Sequence, residues 1–128
     1  MASGFPDYST PAGRAVGGSA IDSFSFSGGI ASGATGVVDV GAVATGKEKF
    51  YQALAISVPD DSFIHTVKLT RISDGFLWWS QEFITAGNFD IPGFKFNAGQ
   101  EVRISITNNG DATLTFTGEI FSTERDIT

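Results

Sequence analysis

Few residues in this 128-residue chain have the types and spacing that chemistry needs. A Ser-His-Asp arrangement requires an imidazole oriented by a carboxylate beside an exposed nucleophile, and His65 is the one imidazole present. It falls at the parity of Val67 and Leu69 in a run that reads as a strand, so a half-buried, hydrogen-bonded structural role is expected for it. Glycoside cleavage needs two carboxyl groups facing one cleft. Glu82 with Asp90, and Asp60 with Asp61, are the nearby pairs, and a chain this short leaves little wall for a cleft. Asp60-Asp61-Ser62 also offers oxygens to a calcium ion, which takes six to eight ligands, although a solvated turn explains the same residues. No Cys is present, which excludes thiolate catalysis and Cys-ligated zinc. None of the Gly-rich stretches leads into Lys-Ser/Thr and a helix, so no phosphate loop is expected. These residues point to a non-enzyme with no cofactor.

Trp78-Trp79 is the most informative pair. Adjacent strand residues point to opposite faces, so one Trp is expected in the core and the other outside. An outward Trp serves as a subunit-interface anchor, as a stacking platform for a sugar ring, or as a side chain covered by the chain's own arm or loops. The sugar reading, with Asn88 or Asp90 as polar contacts, makes the chain a carbohydrate-binding module. Phe83, Phe89, Phe94, Phe96 and Phe121 add further aromatic area, which favours a covered surface.

The elements that must position these residues are strands. Val102, Ile104 and Ile106 alternate with polar neighbours, as do Leu114, Phe116 and Ile120, and Asn108-Asn109-Gly110-Asp111 between them predicts a hairpin. Phe50, Gln52, Leu54, Ile56 and Val58 share one parity, opposite Tyr51, Ala53, Ala55 and Ser57. Val67 and Leu69 point inward in the run 63–72, which turns through Ser73-Asp74-Gly75 into 76–84. Weaker strands are expected at 21–26, 36–43 and 89–96, the last with Pro92-Gly93 marking an edge or a bulge. Eight short strands with turn signals about every ten residues predict an all-β, eight-stranded antiparallel two-sheet sandwich, jelly-roll-like, with an immunoglobulin-like arrangement as the alternative.

Composition divides the chain further. The first 46 residues hold ten of the 16 Gly but four charged residues, Asp7, Arg14, Asp22 and Asp39. Residues 1–20 show no period of 2 or 3.6 and carry few large side chains (Phe5, Tyr8, Val16), too little apolar area to offset the entropy of ordering them. They are expected to form an arm that orders on contact with a neighbour, ahead of a sandwich domain at 21–128. A net charge of −6 repels phosphate backbones, so nucleic acid is not an expected partner. The opening Met1-Ala2-Ser3-Gly4-Phe5-Pro6-Asp7 lacks the basic and apolar regions of a secretory signal, and no apolar run is long enough to span a bilayer. Synthesis in a cytoplasm and no membrane partner are expected.

Phe5-Pro6-Asp7-Tyr8-Ser9-Thr10-Pro11, the Phe50 to Val58 strand, the Ser73-Asp74-Gly75 turn and the Phe94 to Thr107 segment together resemble the small structural proteins of tailed bacteriophages, decoration and head or tail accessory proteins, with the core likeness running over residues 36–121. The resemblance implies a non-enzymatic virion subunit, a capsid decoration or minor capsid component. It would be made in the host cytoplasm and bound in many copies to major capsid or tail subunits as a homo-oligomer, with a trimer as one arrangement. Phe5, Tyr8, Val16, Trp78 and Trp79 would make the contacts.

Overall fold

The computed structural model describes residues 19–59, 62–93 and 95–127. They form strands and connections, all strand pairings antiparallel. The strands are β1 (Ser19–Ile30), β2 (Thr35–Asp39), β3 (Lys47–Ser57), β4 (His65–Arg71), β5 (Phe76–Phe83), β6 (Ala86–Asp90), β7 (Lys95–Asn97), β8 (Val102–Thr107) and β9 (Leu114–Asp126). One sheet has the order β1-β9-β3-β6, with β7 also on β3; the other has the order β2-β8-β4-β5. The count is nine rather than eight, because the expected 89–96 strand is two. Pro92 cannot donate to the ladder, so the segment leaves β3 after Ile91, whose N–H still reaches Gln52 O at 2.8 Å, and rejoins it at Lys95. At the first strand the opposite holds: β1 runs on through Gly28-Gly29 because every residue to Ile30 finds a partner on β9.

Alternation places the core where the sequence puts it. Val67, Leu69, Val102, Ile104, Ile106, Phe116 and Ile120 are all buried between the sheets. Close packing crowds three glycines, Gly36 against the Ile30 side chain and two more against aromatic rings. A Cβ at Gly118 would strike the Phe26 ring and the Ala55 carbonyl, and one at Gly87 would strike the Phe89 ring. The tips of those aromatic rings therefore rest over the glycines of their own sheet.

Three expectations fail for one reason each. The hairpin at Asn108–Asp111 does not form: β8 belongs to one sheet and β9 to the other. Asn108 is fully buried at the crossing, its Nδ2 donating to the carbonyls of Ile30 (2.8 Å) and Ala112 (2.9 Å) while its Oδ1 accepts from Gly110 N–H. The side chain thus replaces the ladder and bends the chain across the sandwich. Second, the register on β9 slips between Tyr51 and Ala53. This bulge at Gln52 brings Tyr51 to the core with Leu54 and Ile56 and sends Phe50 outward, under the Arg125 guanidinium, 5.4 Å from the ring centroid. Third, a bulge at Trp78 interrupts the β4–β5 ladder, where Leu69 faces Trp79 and Thr70 faces Leu77.

The β4–β5 hairpin itself forms as expected. Gly75, at φ 71°, donates its N–H to Arg71 O, and Asp74 accepts from Phe76 N–H and from Arg71 at 3.0 and 2.6 Å.

Candidate functional site

The bulge at Trp78 decides the fate of the tryptophan pair. Strict alternation would expel one ring, but the extra residue lets both turn toward the inner face. Trp78 is buried against Phe96 (ring centroids 5.5 Å), and Trp79, opposite the buried Leu69, is half-buried against Phe89 (5.6 Å) and packs on the core. Neither ring stands out as a flat platform. Asn88 and Asp90 leave β6 on the face opposite Phe89 and so lie away from Trp79.

The chemistry-bearing candidates are likewise dispersed. His65 is fully buried rather than half-buried; its Nδ1 accepts from Asn109 N–H at 3.1 Å, and Phe116 meets it edge-on at 5.1 Å. With Asn108 and Asn109 it ties the start of β4 to the sheet crossing, since Asn109 Nδ2 also reaches Ile64 O at 3.0 Å. Glu82 points outward from one sheet and Asp90 outward from the other, so the two carboxylates share no cleft. Asp60 and Asp61, with the calcium and acid-pair readings that rest on them, lie outside the described residues, as do Phe5, Tyr8, Val16 and Phe94. Among the described residues no group of three or more His, Cys, Asp or Glu could hold a metal ion. No helix there is long and apolar enough to cross a membrane.

Many of the charged side chains are occupied with each other. Arg103 grips Asp39 through two bonds (2.7 and 3.1 Å), Lys49 meets Asp22 at 3.0 Å, and Lys47 pairs with Asp126. Glu48 is buried on β3 between Arg125 (2.6 Å) and Lys95 (3.8 Å). The Arg103 bonds hold the Asp39 carboxyl below the usual range. Burial pushes the Tyr51 phenol up to about 12. Arg71, with the Phe76 N–H, depresses Asp74 to about 2 from an ordinary 3.8. A carboxyl depressed in the folded state stabilises the protein above its unfolded pKa and loses that contribution as pH falls through the folded one. NMR titration of the side-chain carboxyls should therefore find Asp74 with a midpoint of about 2, returning toward 3.8 in Arg71→Ala; an unchanged midpoint would show that the guanidinium is not the cause.

What the surface does offer is apolar. Eight large apolar side chains stand exposed among the described residues, from Phe63 at 38% to Ile21 at 74%. Phe63 and Ile64 enter β4 beside Ile84, which leaves β5 at the same end of the hairpin, while Phe76 and Leu77 project at its other end. The outer face of the β1-β9-β3-β6 sheet carries an open groove of about 420 Å³ lined by small side chains, among them Ser25, Ala55, Ser57, Ala86, Asn88 and Thr117. Sequence reasoning missed the apolar rim, because its residues sit at strand ends where alternation says nothing about exposure. Against known proteins, no family model matches the chain and no curated protein matches its sequence.

Proposed function

We propose that this protein is a non-enzymatic structural subunit of a virion, a capsid decoration or minor capsid component that joins its neighbours through an arm of residues 1–18, two residues shorter than expected because β1 begins at Ser19, and through its apolar surface. The observation that carries the reading is the apolar rim, Phe63, Ile64 and Ile84 at one end of the β4–β5 hairpin and Phe76 and Leu77 at the other. Exposed apolar clusters on a folded domain mark contact surfaces, and two at opposite ends suit a subunit with neighbours on more than one side. The strand order supports it. Taken position by position, β1, β9, β3 and β6 of one sheet correspond to β2, β8, β4 and β5 of the other, each matched with its sequence neighbour. That order supports a jelly roll, an architecture that recurs in viral capsid domains. The composition of residues 1–18 supports an arm whose ordering entropy is met on docking to an adjacent subunit.

The test is a comparison of the full chain with one lacking residues 1–18, which leaves β1 whole. Both should give the same β-sheet circular dichroism, and only the full chain should co-sediment with particles and appear on them by electron cryomicroscopy. Equal incorporation of the shortened chain would remove the arm from the mechanism. A glycan-array signal abolished by Trp79→Ala would instead make the protein a carbohydrate-binding module.

A further inference from the structure

The four edge strands of the sandwich are not equally protected. Exposed edges are templates for further strands, and proteins blunt them with short strands, bulges, proline, lysine or inward-pointing charges. β2 has five residues, β5 carries the bulge at Trp78, and the β6–β7 edge is broken at Pro92. β1 has no bulge, proline or lysine, and its single protecting feature is the inward-parity charge of Asp22, which accepts from Ser23 N–H at 2.9 Å. The strand is 12 residues long, pairs with β9 in unbroken register, and ends the sheet with its other edge unpaired among the described residues. Its one charge, Asp22, is already neutralised by Lys49 at 3.0 Å. Beside that edge stands Ile21, 74% exposed, the most exposed of the large apolar side chains among the described residues.

We infer that the free edge of β1 is a dimer seam, occupied by β1 of a second copy of this chain running antiparallel about a two-fold axis. The occupant follows from what can complete such a ladder. Residues 1–18 are poor material: Pro6 and Pro11 bring no N–H, and Gly4, Gly13, Gly17 and Gly18 are of the residue type depleted in strands. A strand of matching length and Ser/Phe alternation is supplied by β1 itself. A two-fold pairing uses the same edge on both molecules, so it satisfies both at once and closes, whereas a head-to-tail pairing would leave an edge open. Charge permits it. Centring the pairing on Phe24, Ser25 or Phe26 sets Asp22 across from the partner's Phe26, Gly28 or Ile30, never from the partner's Asp22. The second strand also covers Ile21 from the side.

The seam is independent of the arm, so its failure would leave the assembly reading standing. Sedimentation velocity of the full chain over a concentration series should show a monomer–dimer equilibrium. Ser23→Lys with Ser25→Lys, on the exposed outer side of β1, should weaken the dimer on the order of tenfold or more, since like charges then meet across the seam. Mixing that variant with Ser23→Glu, Ser25→Glu should restore dimers as heterodimers, which a misfolded variant could not do. Hydrogen exchange should slow along β1 as concentration rises. A full chain that stays monomeric throughout, or a dimer indifferent to the lysines, would overturn the seam.

Discussion

Replacing Asn108 by Ala should cost about 3 kcal/mol of stability, a large share of the total for a domain of ordinary stability. One carboxamide here serves three backbone partners. Its Nδ2 satisfies Ile30 O and Ala112 O, and its Oδ1 satisfies Gly110 N–H, all around a side chain with no solvent exposure. Alanine leaves those groups without the amide and too enclosed for water to replace it fully. The urea midpoint should fall at an unchanged slope. Asn108→Asp keeps the acceptor but loses both donors and sets a carboxylate against two carbonyls, so it should destabilise as well. An alanine variant within about 0.5 kcal/mol of the parent, the range of ordinary surface changes, would mean that the crossing from β8 to β9 is held by something else.

Phe116→Ala should be more damaging still, by about 3–5 kcal/mol. Phe116 is 1% exposed and is the hub of an aromatic cluster, perpendicular to His65 at 5.1 Å and to Phe83 at 6.3 Å. Truncation removes the transfer free energy of the ring and leaves a cavity whose walls, strands from both sheets, cannot close on it. Phe76→Ala is the natural control: the residue is 48% exposed, its ring meets the Arg71 guanidinium at 5.4 Å, and its loss should move stability by about 1 kcal/mol or less. Thermal and urea unfolding of the two variants side by side would check the contrast. Similar effects from both would contradict the burial described above. The pair also separates the roles of the aromatic residues, because Phe76 belongs to the apolar rim and should matter for association rather than folding.

That division was only half legible beforehand. The inward set on β4, β8 and β9 follows from alternation, since in a strand the period of two is a property of the backbone itself. The same rule misplaced Tyr51 and Phe50, and mistook the tryptophan pair, because a bulge adds one residue and reverses parity beyond it. Nothing local at Gln52 or Trp78 announces a bulge; it arises where two strands held by other contacts disagree by one residue. The candidate site suffered likewise. Glu82 and Asp90 are near neighbours in sequence, yet the corner between β5 and β6 carries them to opposite outer faces.

By itself the amino-acid sequence determined the all-β class, the two-sheet layering, the structural role of His65 and the Ser73-Asp74-Gly75 hairpin, all of which rest on alternation or on turn residues within a few positions of one another. Tertiary structure decided which strands are neighbours: that β9 lies between β1 and β3 rather than against β8, that the 89–96 segment is two strands, and that β1 ends its sheet with an edge free among the described residues. Strand partners are chosen by which apolar faces bury one another across the whole chain, and a hydrophobic face, being non-directional, carries no label for the face it will meet.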